Sequence, residues 1–231
     1  MEVKHRSPTN RKVVMLLAGD IGGTKTLLGI FDPASQRPTP VVVRSYGTLD
    51  FTDLVAMIGA FLDDGEVARA VPHGAIDRAC FGVAGPVIDQ SAALTNVPWR
   101  VEGRRIASEY HISHVKLLND LQAMAYSVPE LTENEVVSLQ RGAAVPGGNM
   151  ALIAAGTGLG EALLHNVDGR FVPSPSEAGH ADFSARTERE IVLLRDLTMR
   201  HGRADIEGVV SGRGLLNIYR VSHSAPCEAG I

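Results

Sequence analysis

The sequence predicts an α/β protein of two related lobes facing a cleft, and three observations predict it. Short runs rich in Val, Leu and Ile alternate with stretches of helical periodicity. Glycines cluster in turns beside the strand-like runs. Residues 16–28 also lie on residues 152–164 without a gap, so that Leu16, Ala18, Gly22, Leu27 and Leu28 meet the identical Leu152, Ala154, Gly158, Leu163 and Leu164. Each copy reads as strand, glycine turn, strand, and each opens its own half of the chain.

Taken in order, residues 13–18 and 26–31 read as the two strands of a hairpin, and 41–46 as a third strand. Between 51 and 62 the apolar residues Phe51, Leu54, Val55, Ile58, Phe61 and Leu62 recur at helical spacing, which predicts an amphipathic helix covering the sheet. Residues 79–83 read as a buried strand ending in the turn Ala84, Gly85, Pro86. A helix over 104–110 precedes a strand over 114–120 that carries Asn119 and Asp120 at its C-terminal tip, with a helix from Leu121 onward. Polar residues at a strand end beside a helix start are site material in α/β sheets. Residues 131–149 read as a loop crossing between lobes, followed by the second strand–turn–strand unit. Residues 187–201 read as a helix with Ile191, Leu194 and Leu197 on one face, and a last helix starts from Leu215.

Composition narrows the function classes. The 231 residues are 45% hydrophobic and 21% charged, enough to bury a sizeable core, and the formal net charge is −4. Non-specific nucleic-acid binding draws on clustered Lys and Arg, so this balance argues against it and favours small neutral or anionic metabolites. Cys80 and Cys227 lie far apart with no C-x-x-C pairing, which points away from a disulfide framework and a thiolate zinc site and toward a reducing cytoplasm. The first twelve residues are basic without an apolar h-region, and no run of 18 apolar residues follows, so neither a signal peptide nor a membrane span is expected.

The glycine turns carry the chemistry. Without a Cβ in the way, a glycine-rich turn brings backbone N–H groups close to an anion, and such nests favour phosphate. The common phosphate patterns fail: Thr24 stands where a P-loop needs glycine before its lysine, and Glu161 stands where G-x-G-x-x-G needs its third glycine, with a strand following. A tight hairpin alone is the bland reading of either turn. Asp20 weakens it, because a carboxylate inside an anion-binding turn is repulsive unless a cation such as Mg²⁺, with its retained waters, sits between.

DIGGTKT (20–26), LLND (117–120), AAGTGLGEA (154–162), EAGH (177–180) and VVSGRGLLNIY (209–219), in this order and spacing, resemble the bacterial glucokinase family of ATP-dependent hexokinases. The resemblance runs from about residue 13 to 219. It implies two ribonuclease-H-like lobes around a cleft (the hexokinase/actin-like ATPase fold), with ATP and Mg²⁺ bound and the γ-phosphoryl group passed to the 6-hydroxyl of glucose. Carried over by motif, Asp120 matches the catalytic base, and Asn119, Glu177, His180 and Glu207 match residues that hydrogen-bond the sugar. The γ-phosphate then lies against Asp20, Ile21, Gly22, Gly23 and Thr24 on one side and Gly156, Thr157 and Gly158, through Gly160, on the other, with Asp20 serving Mg²⁺ through water.

Each residue also has a plainer reading. Asp120 suits the N-cap of the helix from Leu121, a role compatible with catalysis. His180 alone reads as a structural histidine and Glu207 alone as a surface acid. Asn96 and Trp99 read as a packed loop near the sugar with no assigned role.

The sequence departs from the family pattern in three places. Arg213 stands where the family usually has proline, and Glu161 adds negative charge beside the second turn. The chain stops at Ile231, where family members continue for roughly another third of their length. On this reading residues 1–12 form a disordered basic arm, 13–118 a small first lobe, and 119–231 a large second lobe that is incomplete. Glucose and ATP are the expected partners and a homodimer is compatible with the sequence. The rivals are a catalytically impaired sugar-binding fragment and a sugar-responsive regulator on the same fold. The regulator lacks room before residue 13 for a helix-turn-helix.

Overall fold

A computed structural model of the chain describes residues 14–33, 37–72, 74–94, 97–143 and 145–223. The expected basic arm, Asn96 and Cys227 lie outside them. The chain divides into two compact units between Ala123 and Met124.

The first unit is built on a five-stranded sheet. β1 (Met15–Ile21), β2 (Lys25–Asp32) and β3 (Thr39–Gly47) form an antiparallel meander. After α1 (Leu54–Leu62) and α2 (Gly65–Ala70), β4 (Ile76–Val83) returns parallel to β1. A small ribbon of β5 (Val87–Ile88), β6 (Ser91–Ala93) and β7 (Arg100–Glu102) leads into α3 (Gly103–Tyr110). β8 (His114–Asn119) then adds parallel to β4, and α4 (Asp120–Ser127) follows without a linker. The strand order β3-β2-β1-β4-β8 is that of a ribonuclease-H-like lobe, as the family resemblance implies.

Leu17, Ile21, Leu28, Ile30, Met57, Ile58, Phe61 and Phe81 make its core, none more than 1% exposed. The helix expected over 51–62 begins later, at Leu54. Asp53 caps it by accepting from the Ala56 N–H (2.8 Å), and Phe51 stays extended, packing edge-on against Tyr46.

The second unit repeats the meander alone. β9 (Met150–Ala155), β10 (Leu159–Val167) and β11 (Arg170–Ser176) form an antiparallel sheet in the order β11-β10-β9. Among the described residues no strand joins β9 on its other side, where β1 in the first unit has β4. α5 (Glu188–His201) and α6 (Gly212–His223) complete the unit. Thr187 is the N-cap of α5 rather than its first residue, and Leu193 joins Leu197 as its buried pair, with Ile191 only half-buried. α6 starts three residues earlier than Leu215 because Ser211 caps it, its Oγ accepting from the Gly214 N–H (3.0 Å).

Both halves therefore do open with a hairpin, but the gapless overlay is not their structural register. Ile21 pairs with Thr26 at the first turn and Ala155 with Leu159 at the second, whereas the overlay sets strand residue Ile21 on Thr157, inside the second turn. No helix among the described residues is long and apolar enough to cross a membrane.

The first turn is fixed from behind. Thr48 Oγ1 donates to the Gly22 carbonyl (2.8 Å) and lies 2.9 Å from Thr26 Oγ1, and both threonines are fully buried. Thr48→Val keeps the shape but leaves the Gly22 carbonyl and the Thr26 hydroxyl without this partner. We expect a loss of about 1–3 kcal/mol in urea unfolding, the cost of a buried polar group left unsatisfied. Thr48→Ser, which keeps the hydroxyl, should lose markedly less.

Candidate active site

In the first unit the site residues gather at the C-terminal ends of the parallel strands. Asp20 is the penultimate residue of β1, register-paired with Gly82 of β4, while Asn119 ends β8, register-paired with Val83 of β4. This is where open α/β sheets bind ligands. Two glycines make the spot. A Cβ on Gly82 would stand 3.2 Å from the Ala123 Cβ, so its absence lets the first turn of α4 settle onto the sheet. One on Gly19 would stand 2.8 Å from both Leu28 Cδ2 and Phe81 Cδ1.

α4 begins at Asp120, which corrects the capping alternative. The cap is Asn119, whose Oδ1 accepts from the N–H groups of Leu121 (3.1 Å) and Gln122 (3.3 Å) while its Nδ2 donates to the Gly85 carbonyl (3.2 Å). Asp120 sits in the first turn, exposed, with Oδ1 accepting from the Leu121 N–H (2.8 Å). Asn119 thereby fixes the strand-to-helix junction from which the Asp120 carboxylate projects. The Asp20 carboxyl is raised above its ordinary 3.8, by desolvation first and then by the charge of Asp120, although its side chain still reaches solvent.

The adjoining turn, 21–25, closes with the Gly22 N–H on the Lys25 carbonyl (3.1 Å), and a Cβ on Gly22 would meet that oxygen at 2.7 Å. Ile21 is a core side chain and offers the turn only its backbone. Gly23 and Thr24 lie at the accessible tip.

In the second unit Glu207 organises the site. Its Oε2 accepts from the Leu159 N–H (2.9 Å), at the end of the turn formed by Gly156, Thr157 and Gly158, and its Oε1 accepts from Arg213 Nη2 (2.8 Å). The Glu207 N–H donates to the Gly179 carbonyl (2.8 Å), and the Gly212 N–H to the Gly156 carbonyl (2.8 Å). Gly179 and Gly158 permit this closeness: Cβ atoms there would stand 2.4 Å from the Leu159 carbonyl oxygen and 2.6 Å from Glu207 Oε2.

His180 ends a short 3-10 turn (Ala178–His180) begun by Glu177. Its Nδ1 lies 3.2 Å from Asp205 Oδ2, and Arg203 donates to its carbonyl (2.7 Å). Burial pushes the Asp205 carboxyl up, but the Gly208 N–H, His180 and Arg203 outweigh that and hold it below its ordinary value. Asp205 thus fixes which ring nitrogen of His180 faces outward. Glu177 is exposed, with no hydrogen-bond or ion-pair partner for its carboxylate among the described residues.

The structure thus brings Asp20–Thr24 residues together with Asn119 and Asp120 in one unit, and Gly156, Thr157 and Gly158 with Glu207 in the other. Sequence reasoning missed Thr48, Asp205, Arg203 and Arg213 as partners. Asp205, two residues before Glu207, and Arg213, six after it, lay near it in sequence, whereas Thr48 and Arg203 are tied by bonds across long loops.

Two outcomes follow. Because the folded state holds the Asp20 carboxyl above its unfolded value, the ionised group costs stability at neutral pH and that cost vanishes once pH falls below about 4. Asp20→Asn should therefore raise the urea midpoint at pH 7 and leave it unchanged near pH 3. Gly158→Ala drives a methyl into Glu207 Oε2, so it should lower the melting temperature by several degrees, as about 1–2 kcal/mol of strain does.

Known proteins resemble this chain along most of its length. A family model described as Glucokinase matches residues 17–229. A glucokinase of Nostoc sp. is 40% identical over 211 residues, covering 90% of this chain and 60% of the relative. That of Salmonella arizonae is 33% identical over 204 residues, covering 88% and 61%. The crystal structure of a glucokinase from an Antarctic psychrotroph superposes with a TM-score of 0.78 at 29% identity, over 90% of this chain and 63% of that one. A Balamuthia mandrillaris glucokinase solved with glucose shares the fold, with a TM-score of 0.65 at 22% identity, over 92% and 63%. The chain spans about three fifths of the length of these relatives. Matched by the family model over nearly all its described residues, this chain belongs to the glucokinase family.

Proposed function

We propose that the chain carries the sugar and phosphate residues of an ATP-dependent glucokinase, which transfers the γ-phosphoryl group of ATP to the 6-hydroxyl of glucose. The observation that carries the reading is the placement of Asp120: an exposed carboxylate on the first turn of α4, fixed by the Leu121 N–H and set at the same sheet end as Asp20. Phosphoryl transfer needs positioning and charge stabilisation more than covalent help, with a carboxylate accepting the hydroxyl proton. Asp120 fills that role.

Glu177 has its carboxylate open to sugar hydroxyls. His180, oriented by Asp205, offers its other ring nitrogen, and Glu207 accepts through the lone pairs that Leu159 and Arg213 leave over. Asn119, its oxygen spent on the cap, offers amide hydrogen. The backbone N–H groups of Gly23 and Thr24, and of Thr157 and Gly158, are the phosphate donors in this reading.

Asp20 and Asp120 form a hard oxygen donor pair, Asp120 raising the Asp20 carboxyl with no cation of the described residues set against it, a pair that suits Mg²⁺, which binds one or two carboxylates beside substrate phosphates. Asp20 would hold it through water; bound there, the ion neutralises charge on the phosphates. A cytoplasmic setting, where sugar and nucleotide meet, goes with this reading.

Asp120→Asn should lower kcat by about 10²- to 10⁴-fold in a coupled glucose 6-phosphate assay, the range for a lost general base. Calorimetric glucose binding should stay within a few-fold. Near-normal turnover would remove Asp120 from the role. Glucose binding without turnover in the unaltered chain would reduce the reading to a sugar-binding fragment.

A further inference from the structure

The backbone of Glu207 is fixed more firmly than its carboxylate would be alone. Its N–H is held by the Gly179 carbonyl (2.8 Å), and Oε2 accepts from the Leu159 N–H (2.9 Å). One bonded oxygen does not orient a carboxylate. The last torsion of a glutamate side chain is broad and roughly two-fold, so Oε1 could swing about the bond that Oε2 makes. Arg213 stops the swing, its Nη2 donating to Oε1 at 2.8 Å. With both oxygens tied, the lone pairs left over keep fixed directions.

Arg213 is itself firmly placed. It is the second residue of α6, whose start is pinned on several sides: Ser211 Oγ accepts from the Gly214 N–H (3.0 Å), and the Gly212 N–H donates to the Gly156 carbonyl (2.8 Å). Gly214 passes so close to residue 209 that a Cβ on it would stand 2.2 Å from the Val209 carbonyl oxygen. A cation in the first turn of a helix faces the positive end of the macrodipole, and no acid in that turn offsets it. Local preference therefore does not account for an arginine here. Glu207 does. The Arg213 side chain is 71% exposed against 15% for Glu207, so solvent screens much of the attraction between the charges, and what remains is the directional bond.

We propose that Arg213 is a positioning residue for sugar recognition: by locking the Glu207 carboxylate in one orientation it sets which arrangement of hexose hydroxyls the site accepts. This rests on the reading of Glu207 as a sugar acceptor. Arg213 acts through Glu207 and needs no contact with the sugar. An acceptor held in one direction discriminates against a sugar that lacks the matching hydroxyl, because the buried carboxylate is then left unpaired.

The test is calorimetric titration of the unaltered chain and of Arg213→Gln with glucose and, by competition, with the deoxyglucoses lacking the hydroxyl at C1, C2, C3 or C4. Arg213→Gln should weaken glucose binding about tenfold, as loss of a hydrogen bond to a charged group does. At least one deoxy sugar, the one without the hydroxyl that Glu207 accepts, should bind both chains alike, whereas a merely structural loss would weaken every sugar equally. Arg213→Lys, which keeps a cation but not the planar fork, should recover part of the affinity. In sugar-free amide spectra the Leu159 N–H resonance should move on Arg213→Gln and exchange faster with solvent, because it shares the carboxylate. Failure of the unaltered chain to bind glucose would overturn the reading on which this rests, and the proposal with it. Glucose binding untouched by Arg213→Gln, a uniform loss across glucose and every deoxy sugar, or an unmoved Leu159 amide would overturn the proposal alone.

Discussion

Each glycine turn closes on one hydrogen bond of its own and is braced by a side chain from elsewhere in the sequence. In the first unit Thr48, fully buried, donates to the Gly22 carbonyl and leans on Thr26, while its backbone N–H reaches the Thr24 carbonyl (3.0 Å). In the second, Glu207 takes the Leu159 N–H and Gly212 donates to the Gly156 carbonyl. A loop that presents backbone N–H groups outward must satisfy its remaining polar atoms inward, and a hairpin of a few residues has too few partners of its own. The supports therefore come from the 3-10 turn after β3 and from the segment before α6. The rest of each site is arranged around them.

The sheet order explains why Asp20 and Asp120 approach although a hundred residues separate them. β4 inserts between β1 and β8, parallel to both, so the C-terminal ends of all three strands share one edge. Gly82, at the end of that middle strand, removes the side chain that would hold α4 away. Two carboxylates converge where a third side chain is missing. The cost appears in Asp20, whose ionisation the surroundings disfavour. Such a cost, left in place by a fold that could relieve it with an amide, is the ordinary mark of a functional position.

Much of this was legible in the sequence, and what was not has physical reasons. The hairpins, the helix after β3 and the polar strand end at Asn119 follow from periodicity and turn residues. β11 escaped notice because Pro173 and Pro175 argue against a strand, yet it is the edge strand of its sheet, where a missing N–H is tolerated. Its signal was present as Asp168 and Gly169, both at positive φ, a two-residue turn between apolar runs. Asp89 and Gln90, also at positive φ, mark the turn between β5 and β6, where no glycine announces it. The internal overlay found the right architecture in the wrong register, since identities among Leu, Ala and Gly report strand composition rather than pairing. Thr48 and Arg203 were invisible for a simpler reason: their partners are set by tertiary approach, which one-dimensional spacing does not encode.

Glu207 shows how one carboxylate ties two parts of the second unit together. An amide at this position could still accept from the Leu159 N–H through its oxygen, but its NH₂ would then be turned toward Arg213, donor against donor. Only a carboxylate can serve both neighbours at once. Gly158 adds a second constraint, because a Cβ there would stand 2.6 Å from Glu207 Oε2 and would have to displace that hydrogen-bonded carboxylate. Charge and turn geometry are thus specified by one group.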